Sequence, residues 1–241
     1  MSDGADPFTN PAWHALTGRQ ADLAMGAGVG GGDARAYRQD VTRFSAVREP
    51  TPGAFADLAR VLGPGVEARL FRPDRPEYRP ADWAIALERP ILQMIADDPA
   101  RTPPTPPAPD GLVELGFADG AEMLDLALRT EPGPFEAGTV RIGGFIGVRR
   151  AGRLVAMAGH RLKLEGCTEV SGICTAPEFR GQGLARALTL LVMQGIRDAG
   201  HTPILHAFPD NLGAIALYET LGFRVHREML IRWLVTPNGE N

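Results

Sequence analysis

The chain has 241 residues, of which 44% are hydrophobic and 22% charged, a composition typical of a soluble globular protein with a sizeable core. Its net charge of −4 excludes generic nucleic-acid binding, because that activity needs a basic face. No apolar run predicts a secretory signal or a transmembrane helix. The two cysteines, Cys167 and Cys174, lie at the two ends of one strand-length segment. A disulfide between them would need that segment to fold back on itself, which favours free thiols. We therefore expect a reduced, cytoplasmic protein without nucleic-acid or membrane partners.

The N-terminal part of the chain alternates short helical and strand-like patterns. Apolar spacing predicts helices at 11–16 and 54–62 and strands at 66–71, 83–88 and 91–95. The glycine-rich segment 26–32 has neither a preceding strand nor a following Gly-Lys-Ser/Thr. It therefore predicts a loop rather than a nucleotide-binding fingerprint.

A proline-rich segment, residues 97–110, is nearly free of apolar residues and predicts an extended, semi-rigid connector. It divides the chain into residues 1–96, the connector, and residues 111–241. In the last part, strands are predicted at 112–115, 145–148, 154–162, 168–175, 203–208 and 225–234. Helices between them complete an α/β plan in which the central strands pair antiparallel and later connections cross through helices.

Three helices are predicted in residues 111–241. The first begins after Asp119, and its apolar face carries Met123, Leu124, Ala127 and Leu128. The second covers 185–199 and ends with Gly200 as its C′ residue, and the third covers 211–221.

Residues 180–185, Arg-Gly-Gln-Gly-Leu-Ala, connect a predicted strand to the second of these helices. A strand that turns through Arg-Gly-x-Gly into a helix leaves several backbone N–H groups unpaired at one point. The glycines let the backbone approach a ligand closely, and the helix dipole adds partial positive charge. Such a turn suits a pyrophosphate.

Two blocks of sequence in this order resemble the GCN5-related N-acetyltransferase (GNAT) superfamily. The first is Thr-Glu-Val-Ser-Gly-Ile-Cys-Thr-x-Pro (168–177) followed by the Arg-Gly-x-Gly turn. The second runs from Asn211 through Leu-Tyr-Glu-Thr-Leu-Gly-Phe (217–223). The resemblance covers roughly 112–234 and is most similar to the FR47-like branch. It implies the acetyltransferase (acyl-CoA N-acyltransferase) fold, with a mixed central sheet.

The smaller α/β N-terminal part then has two readings. One is a degenerate second copy of the same fold, as in tandem-domain proteins similar to glycine N-acyltransferases, and the other is a small accessory α/β layer. In both readings we expect residues 110–241 to hold the whole CoA site. The N-terminal part and the loop 130–140 would wall the acceptor pocket.

The resemblance implies acetyl-CoA as cosubstrate and assigns its contacts. Its pyrophosphate is expected on the amides of the turn, from Arg180, Gly181, Gln182, Gly183, Leu184 and Ala185. Its pantetheine arm is expected along the preceding strand, against main-chain groups of Ile173, Cys174 and Thr175. Asn211 either caps its helix alone or also reaches the pantetheine. Two cysteines without a Cys-x-x-Cys pair or a histidine cluster predict no metal site.

Acetyl transfer to an amine needs an acid and a base. The resemblance places the Tyr218 hydroxyl near the thioester sulfur as the acid, and the alternative is a half-buried packing aromatic. Glu169 is the candidate base, with a pKa expected to be raised on a largely apolar strand face. The alternatives for Glu169 are an exposed strand end or a pair with Arg161. His160 and His206 are further candidate bases.

These observations predict an N-acetyltransferase that moves acetyl from acetyl-CoA to a primary amine of a small molecule or peptide by direct attack. The rival is a non-catalytic acyl-CoA-binding regulatory module that keeps the pyrophosphate site without turnover. Tyr218 argues against this rival, because binding alone needs no acid. The amine acceptor is not written in the sequence, and the protein is expected to be a monomer or a homodimer.

Overall fold

The computed structural model describes residues 6–26, 32–73, 78 and 80–238. Of the glycine-rich segment, residues 27–31 lie outside this range. The helices are α1 (Pro11–Thr17), α2 (Pro52–Leu62), α3 (Gly120–Thr130), α4 (Leu184–Asp198) and α5 (Leu212–Thr220). The strands are β1 (Ala24–Met25), β2 (Ala34–Tyr37), β3 (Ser45–Val47), β4 (Glu67–Pro73), β5 (Ala84–Ile95), β6 (Leu112–Leu115), β7 (Phe145–Arg150), β8 (Arg153–Leu164), β9 (Cys167–Thr175), β10 (Thr202–Ala207) and β11 (Arg224–Val235).

The chain divides into two compact units. Unit 1 comprises Met1–Gln39, Arg43–Leu92 and Arg227–Asn241, and unit 2 comprises Asp40–Thr42 and Gln93–His226. The boundaries predicted from the sequence, at 96/97 and 110/111, differ from this division. They stay a prediction about which parts of the chain fold independently.

Unit 1 contains the small antiparallel sheet β1-β2-β3, which the sequence pattern did not indicate. Helix α2 buries Phe55 and Leu58 in the core that this sheet shares. Strand β11 pairs antiparallel with β4, with Ile231 opposite Phe71, and β5 is its other neighbour. Separating 83–88 from 91–95 was wrong, because β5 runs unbroken through Pro90.

Unit 2 contains the strands β10-β9-β8-β7-β6 in that order. Strand β10 runs parallel to β9, and the other neighbouring pairs are antiparallel, so the predicted mixed sheet is confirmed. Helix α3 buries Met123, Leu126 and Ala127. The prediction for Leu128 was wrong, because it is 69% exposed. At 100° per residue, the buried stripe passes through Leu126 instead.

The proline-rich segment belongs to unit 2 and is held there by side chains. Arg224 Nε donates to Asp97 Oδ1 at 3.0 Å. Further along, Arg197 on α4 donates to Thr102 Oγ1 at 2.8 Å. Gln194, also on α4, accepts from Thr105 Oγ1 at 3.2 Å. The proline-rich segment therefore runs along α4 and is attached to it by hydrogen bonds.

Candidate active site

The turn before α4 presents an open helix N-terminus. Gly181 and Gly183 both have φ of 75°, and a Cβ built on either would meet no atom within 4 Å. Gly183 is the N-cap, and it has no side chain that could accept a hydrogen bond from the first turn. The first N–H groups of a helix have no intrahelical acceptor. The N–H groups at the start of α4 can therefore donate to an anion, as expected for a pyrophosphate site.

Strands β9 and β10 form a fork beside this turn. Their parallel register pairs Thr202 with Cys167, Pro203 with Thr168 and Ile204 with Glu169, and the pairing ends there, although β9 continues to Thr175. Past this point, the edge of β9 that faced β10 is released from the ladder. A released edge offers the alternating N–H and C=O groups that an amide-bearing chain can pair with.

A β-bulge shapes the open part of β9. Ser171 lies opposite Gly159 and Cys174 opposite Met157, so β9 has one more residue than β8 over this stretch. Gly172 lies in it with φ of 63°, and a Cβ there would come within 3.1 Å of the Phe145 ring. A bulge of this kind re-aims backbone groups, here next to Ile173.

The turn and the fork open onto one cleft of about 620 Å³ in unit 2. Of the residues predicted to bind the cosubstrate, those that line it are Ile173, Cys174, Thr175, Arg180, Gly181, Gly183, Leu184, Ala185 and Tyr218. Gln182 and Asn211 are not among the lining residues. Asn211 caps α5, because its side chain accepts from the Ala214 N–H at 3.3 Å.

Sequence reasoning assigned one further lining residue, Thr130, to the wall of the acceptor pocket, and it missed five others: Phe179, Arg186, Gly213, Ala214 and Leu217. Arg186 could have been found from the sequence, because it lies in the first turn of α4. A positive side chain there strengthens the attraction of the unpaired N–H groups for an anion. Its guanidinium donates to Thr220 Oγ1 at 3.0 Å, which holds it at the cleft. The side chain of Thr175 was also undervalued. Its hydroxyl oxygen is buried and, within the described part of the chain, has no hydrogen-bond partner.

Tyr218 lines the cleft from α5. Its ring packs edge-on against Phe223, with centroids 6.1 Å apart. Burial raises the pKa of Tyr218, and the nearby Arg161 charge opposes this shift without reversing it. The phenol is therefore protonated near neutral pH and can act as a proton donor. The hypothesis that it is the acid stays a prediction.

Glu169 lies behind the fork in a buried polar network and does not line the cleft. His206 Nδ1 lies 2.9 Å from its Oε1, and the Leu162 N–H donates to its Oε2 at 3.3 Å. Arg161 Nη1 is 3.8 Å from Oε1. Gln93 Nε2 lies 3.1 Å from His206 Nε2, which joins Gln93 to the same network.

The expectation of a raised pKa for Glu169 was wrong. Burial does raise it, but the charges of His206 and Arg161 and the two hydrogen bonds outweigh burial, and the net pKa is lowered. The alternative of an exposed strand-end Glu169 is also wrong, since the side chain is 1% exposed. Its role as the base, directly or through water, stays a prediction.

The two candidate histidines, His160 and His206, are not among the residues that line the cleft. His206 is fully buried in the Glu169 network. The ring of His160 lies against Gly144, where a Cβ would come within 2.1 Å of Nδ1. Cys167 and Cys174 are both buried free thiols, as expected. Burial raises the pKa of Cys174 to about 11, despite a hydrogen bond with Thr130.

In the part of the chain that the structure describes, no group of histidine, cysteine or carboxylate side chains is arranged to hold a metal ion. A search of the same residues finds no helix with the length and apolarity needed to cross a membrane.

Comparison with known proteins agrees with this geometry. A family model described as FR47-like protein matches residues 145–233. A crystal structure described as an acetyltransferase of the GNAT family, from Novosphingobium aromaticivorans, is 42% identical. It covers 97% of this chain and 100% of its own chain, with a TM-score of 0.83.

Two curated relatives are both named mycothiol acetyltransferase. The protein from Nocardiopsis dassonvillei is 47% identical over 57 residues, which are 23% of this chain and 17% of that protein. The protein from Cellulomonas flavigena is 24% identical over a 259-residue alignment that covers 92% of this chain and 74% of that protein.

The mixed sheet and its helices have the acyl-CoA N-acyltransferase fold. The chain belongs to the GNAT family.

Proposed function

We propose that the protein is an N-acetyltransferase that moves the acetyl group of acetyl-CoA to a primary amine by direct attack. The observation that supports this most is one cleft lined by the open N-terminus of α4, the released edge of β9 and Tyr218. Each of these three parts meets one need of an acetyl-CoA-dependent transfer: anion binding, positioning of the arm, and protonation of the leaving group.

Acetyl-CoA binding divides between the turn and the strand. The pyrophosphate accepts from backbone N–H groups at 180–185, with Arg180 and Arg186 adding positive charge at the cleft wall. The pantetheine arm pairs with main-chain groups of β9 from Ile173 to the strand end. The buried Thr175 hydroxyl lies there as a further partner for an amide of the arm.

The reaction forms an N–C bond and breaks the C–S bond. A backbone N–H of the open part of β9 stabilises the oxyanion of the tetrahedral intermediate. The departing CoA thiolate takes the Tyr218 proton, and the proton lost by the attacking nitrogen leaves the site to solvent or to a base. The Tyr218 phenolate then regains a proton from solvent. Cys174 does not take the acetyl group, because its thiol stays protonated at neutral pH with a pKa of about 11.

The base is the least direct part of the proposal. Among the described residues that line the cleft there is no carboxylate or imidazole. Glu169 would have to act from behind β9 through water, and its lowered pKa makes it a weak base. We therefore propose that the main contribution of Glu169 is to position its partners, His206 and Arg161.

The acceptor is proposed only as an amine. The match spans 17% of the Nocardiopsis dassonvillei protein, so the acceptor in that protein's name is not transferred to this chain. Binding of acetyl-CoA without metal, a cytoplasmic location and a monomeric or homodimeric state are parts of the same proposal.

The test is release of CoA thiol from acetyl-CoA with a panel of amines, run on wild type and on Tyr218→Phe. We expect the variant to bind CoA normally and to lose about 10²–10⁴-fold in kcat, the worth of a positioned acid. The lower end is expected, because a thiol with a pKa of about 8.5 leaves fairly well unaided. Tyr78→Phe, a change at a 42% exposed tyrosine of unit 1, is the matched control.

Two results would contradict the proposal. Tight CoA binding without thiol release for any amine would favour the binding module over the enzyme. Wild-type turnover in Tyr218→Phe would reduce Tyr218 to a packing residue and leave the acid unassigned.

A further inference from the structure

Two guanidinium groups, those of Arg180 and Arg186, line the proposed acetyl-CoA cleft. Among the described residues, no carboxylate or imidazole lines it with them, and neither guanidinium forms an ion pair. Arg186 is half-buried in the first turn of α4. A cleft lined by one sign of charge attracts ligands of the opposite sign. The two arginines therefore favour an anionic ligand in this cleft.

The two guanidinium groups are held by different walls of the cleft. Arg180 Nε donates to Thr175 O at 3.3 Å, at the end of β9. Arg186 Nη1 donates to Thr220 Oγ1 at 3.0 Å, in the last turn of α5. Arg180 therefore lies on the side of the strand along which we propose that the pantetheine arm binds, whereas the Arg186 guanidinium lies on the side of α5.

The hydrogen bond to Thr220 also orients the Arg186 guanidinium. Thr220 Oγ1 donates its own proton to Leu217 O at 2.7 Å, so the oxygen acts toward Arg186 as an acceptor. This bond uses one N–H of Arg186, and within the described part of the chain the other donors of the guanidinium have no partner. A guanidinium presents these donors as a planar fork, which suits the oxygens of a phosphate group.

Coenzyme A carries phosphate in two places. The pyrophosphate joins the pantetheine arm to the ribose, and a separate monoester, the 3′-phosphate of the ribose, carries about 1.5–2 negative charges at neutral pH. In the proposed binding mode, the backbone N–H groups at 180–185 bind the pyrophosphate, and the arm continues along β9. The ribose and its 3′-phosphate then have to leave the turn by another part of the cleft. The side of α5, where the Arg186 guanidinium lies, provides a cation for this second phosphate.

We propose that Arg186 binds the 3′-phosphate of CoA and makes the cleft selective for CoA over dephospho-CoA, which lacks that group. This inference rests on the proposed binding of acetyl-CoA. The fork of the guanidinium donates to the phosphate oxygens, and the hydrogen bond to Thr220 keeps the fork in place. The turn binds the pyrophosphate that both molecules share, so Arg186 alone carries the discrimination between them.

The experiment measures the binding of CoA and of dephospho-CoA by calorimetry. The two ligands have the same pyrophosphate and the same pantetheine arm, so the ratio of their Kd values isolates the 3′-phosphate. We expect the wild type to bind CoA about 10- to 100-fold more tightly, the usual worth of a hydrogen bond to a charged group. Arg186→Gln should bring this ratio close to one, because it weakens the binding of CoA and leaves that of dephospho-CoA nearly unchanged.

Three further variants complete the experiment. Arg180→Gln removes the guanidinium on the side of β9, so it should keep the wild-type ratio. Arg153→Gln, at an arginine that is 68% exposed at the start of β8, should keep both affinities. Thr220→Ala removes the acceptor that holds Arg186 and keeps the charge, so it should lower the ratio part of the way. Should Arg186→Gln fail to fold, Thr220→Ala still tests the proposal.

Three outcomes would contradict these ideas at different points. Equal affinities of the wild type for CoA and dephospho-CoA overturn the role of Arg186 and leave the acetyl-CoA site standing. A wild-type ratio in folded Arg186→Gln also overturns that role, and an equal loss for both ligands then assigns Arg186 to the pyrophosphate. Absence of binding of either ligand to the wild type overturns the acetyl-CoA site itself.

Discussion

Replacing Glu169 with Gln tests whether this buried carboxylate stabilises the fold or acts as the base. In the wild type, its oxygens face donors of His206 and Leu162 and the charge of Arg161. An amide of the same shape offers one oxygen and two N–H donors to the same three groups. At least one donor then faces another donor, and the positive charge of Arg161 loses its ion pair with Glu169.

The expected cost follows from this loss. Breaking a buried ion pair by removing one partner costs about 3–5 kcal/mol. Because Gln keeps one acceptor oxygen, we expect Glu169→Gln to lower the free energy of unfolding by about 3 kcal/mol, the lower end of this range. That is a large part of the about 5–15 kcal/mol by which folded proteins are stable.

The effect should depend on pH in one direction. The pKa of Glu169 is lower in the folded protein than in the unfolded chain, where it has the ordinary carboxyl value. The stability that its charge contributes is therefore fully present above that ordinary value. It is lost as the pH falls through the folded pKa, so the difference between wild type and variant should shrink there.

The assay is urea unfolding at neutral pH and along a series of decreasing pH, with kcat measured on the same preparations. Glu165→Gln, at an exposed position in the turn between β8 and β9, should change the free energy of unfolding by less than about 0.5 kcal/mol. An equally small effect of Glu169→Gln, together with a large loss of kcat, would refute the structural role and support the base.

Three further changes test the cleft. Gly183→Asp puts a Cβ into open space at a strained φ of 75°, and it should weaken CoA binding in calorimetry because it places a carboxylate at the proposed pyrophosphate turn. Gly152→Asp, with φ of 80° and equal space in the turn between β7 and β8, carries the same backbone strain and should bind CoA like wild type. Thr175→Val should weaken CoA binding about fivefold, since one hydrogen bond is worth about 1 kcal/mol, while Thr175→Ser should not; equal affinities would exclude the hydroxyl. Mass spectrometry of the protein mixed with acetyl-CoA alone should find no acetyl group on Cys174, because a pKa of about 11 keeps this side chain protonated as a thiol. A stable acetylated Cys174 would refute direct transfer.

Local signals in the sequence determined the turn and most elements of unit 2. The pair of glycines before an apolar helix predicted the start of α4, because a positive φ and an uncapped N-terminus are local properties. Asn211 likewise caps α5 as its position indicated. The two sequence blocks were also sufficient for the family resemblance, which the comparisons confirmed.

Tertiary structure alone decided the state of Glu169. Strand alternation predicted a carboxylate with a raised pKa on an apolar face, but the residues that lower its pKa come from neighbouring strands. His206 lies 37 positions further along the chain, and Gln93, which contacts the His206 ring, lies 113 positions before His206. Only the pairing order of the strands brings these side chains together.

The two bulges were equally beyond the sequence pattern. A bulge is one extra residue relative to a partner strand, so it exists only in the register between two strands and not in either strand alone. One bulge opens β9 beside Gly172, and the other lies in β8 between His160 and Lys163 and turns Arg161 toward Glu169. The sequence by itself therefore determined the turn at which we propose that the cosubstrate binds. The groups around Glu169 depended instead on the register between β8 and β9 and on the pairing of β9 with β10.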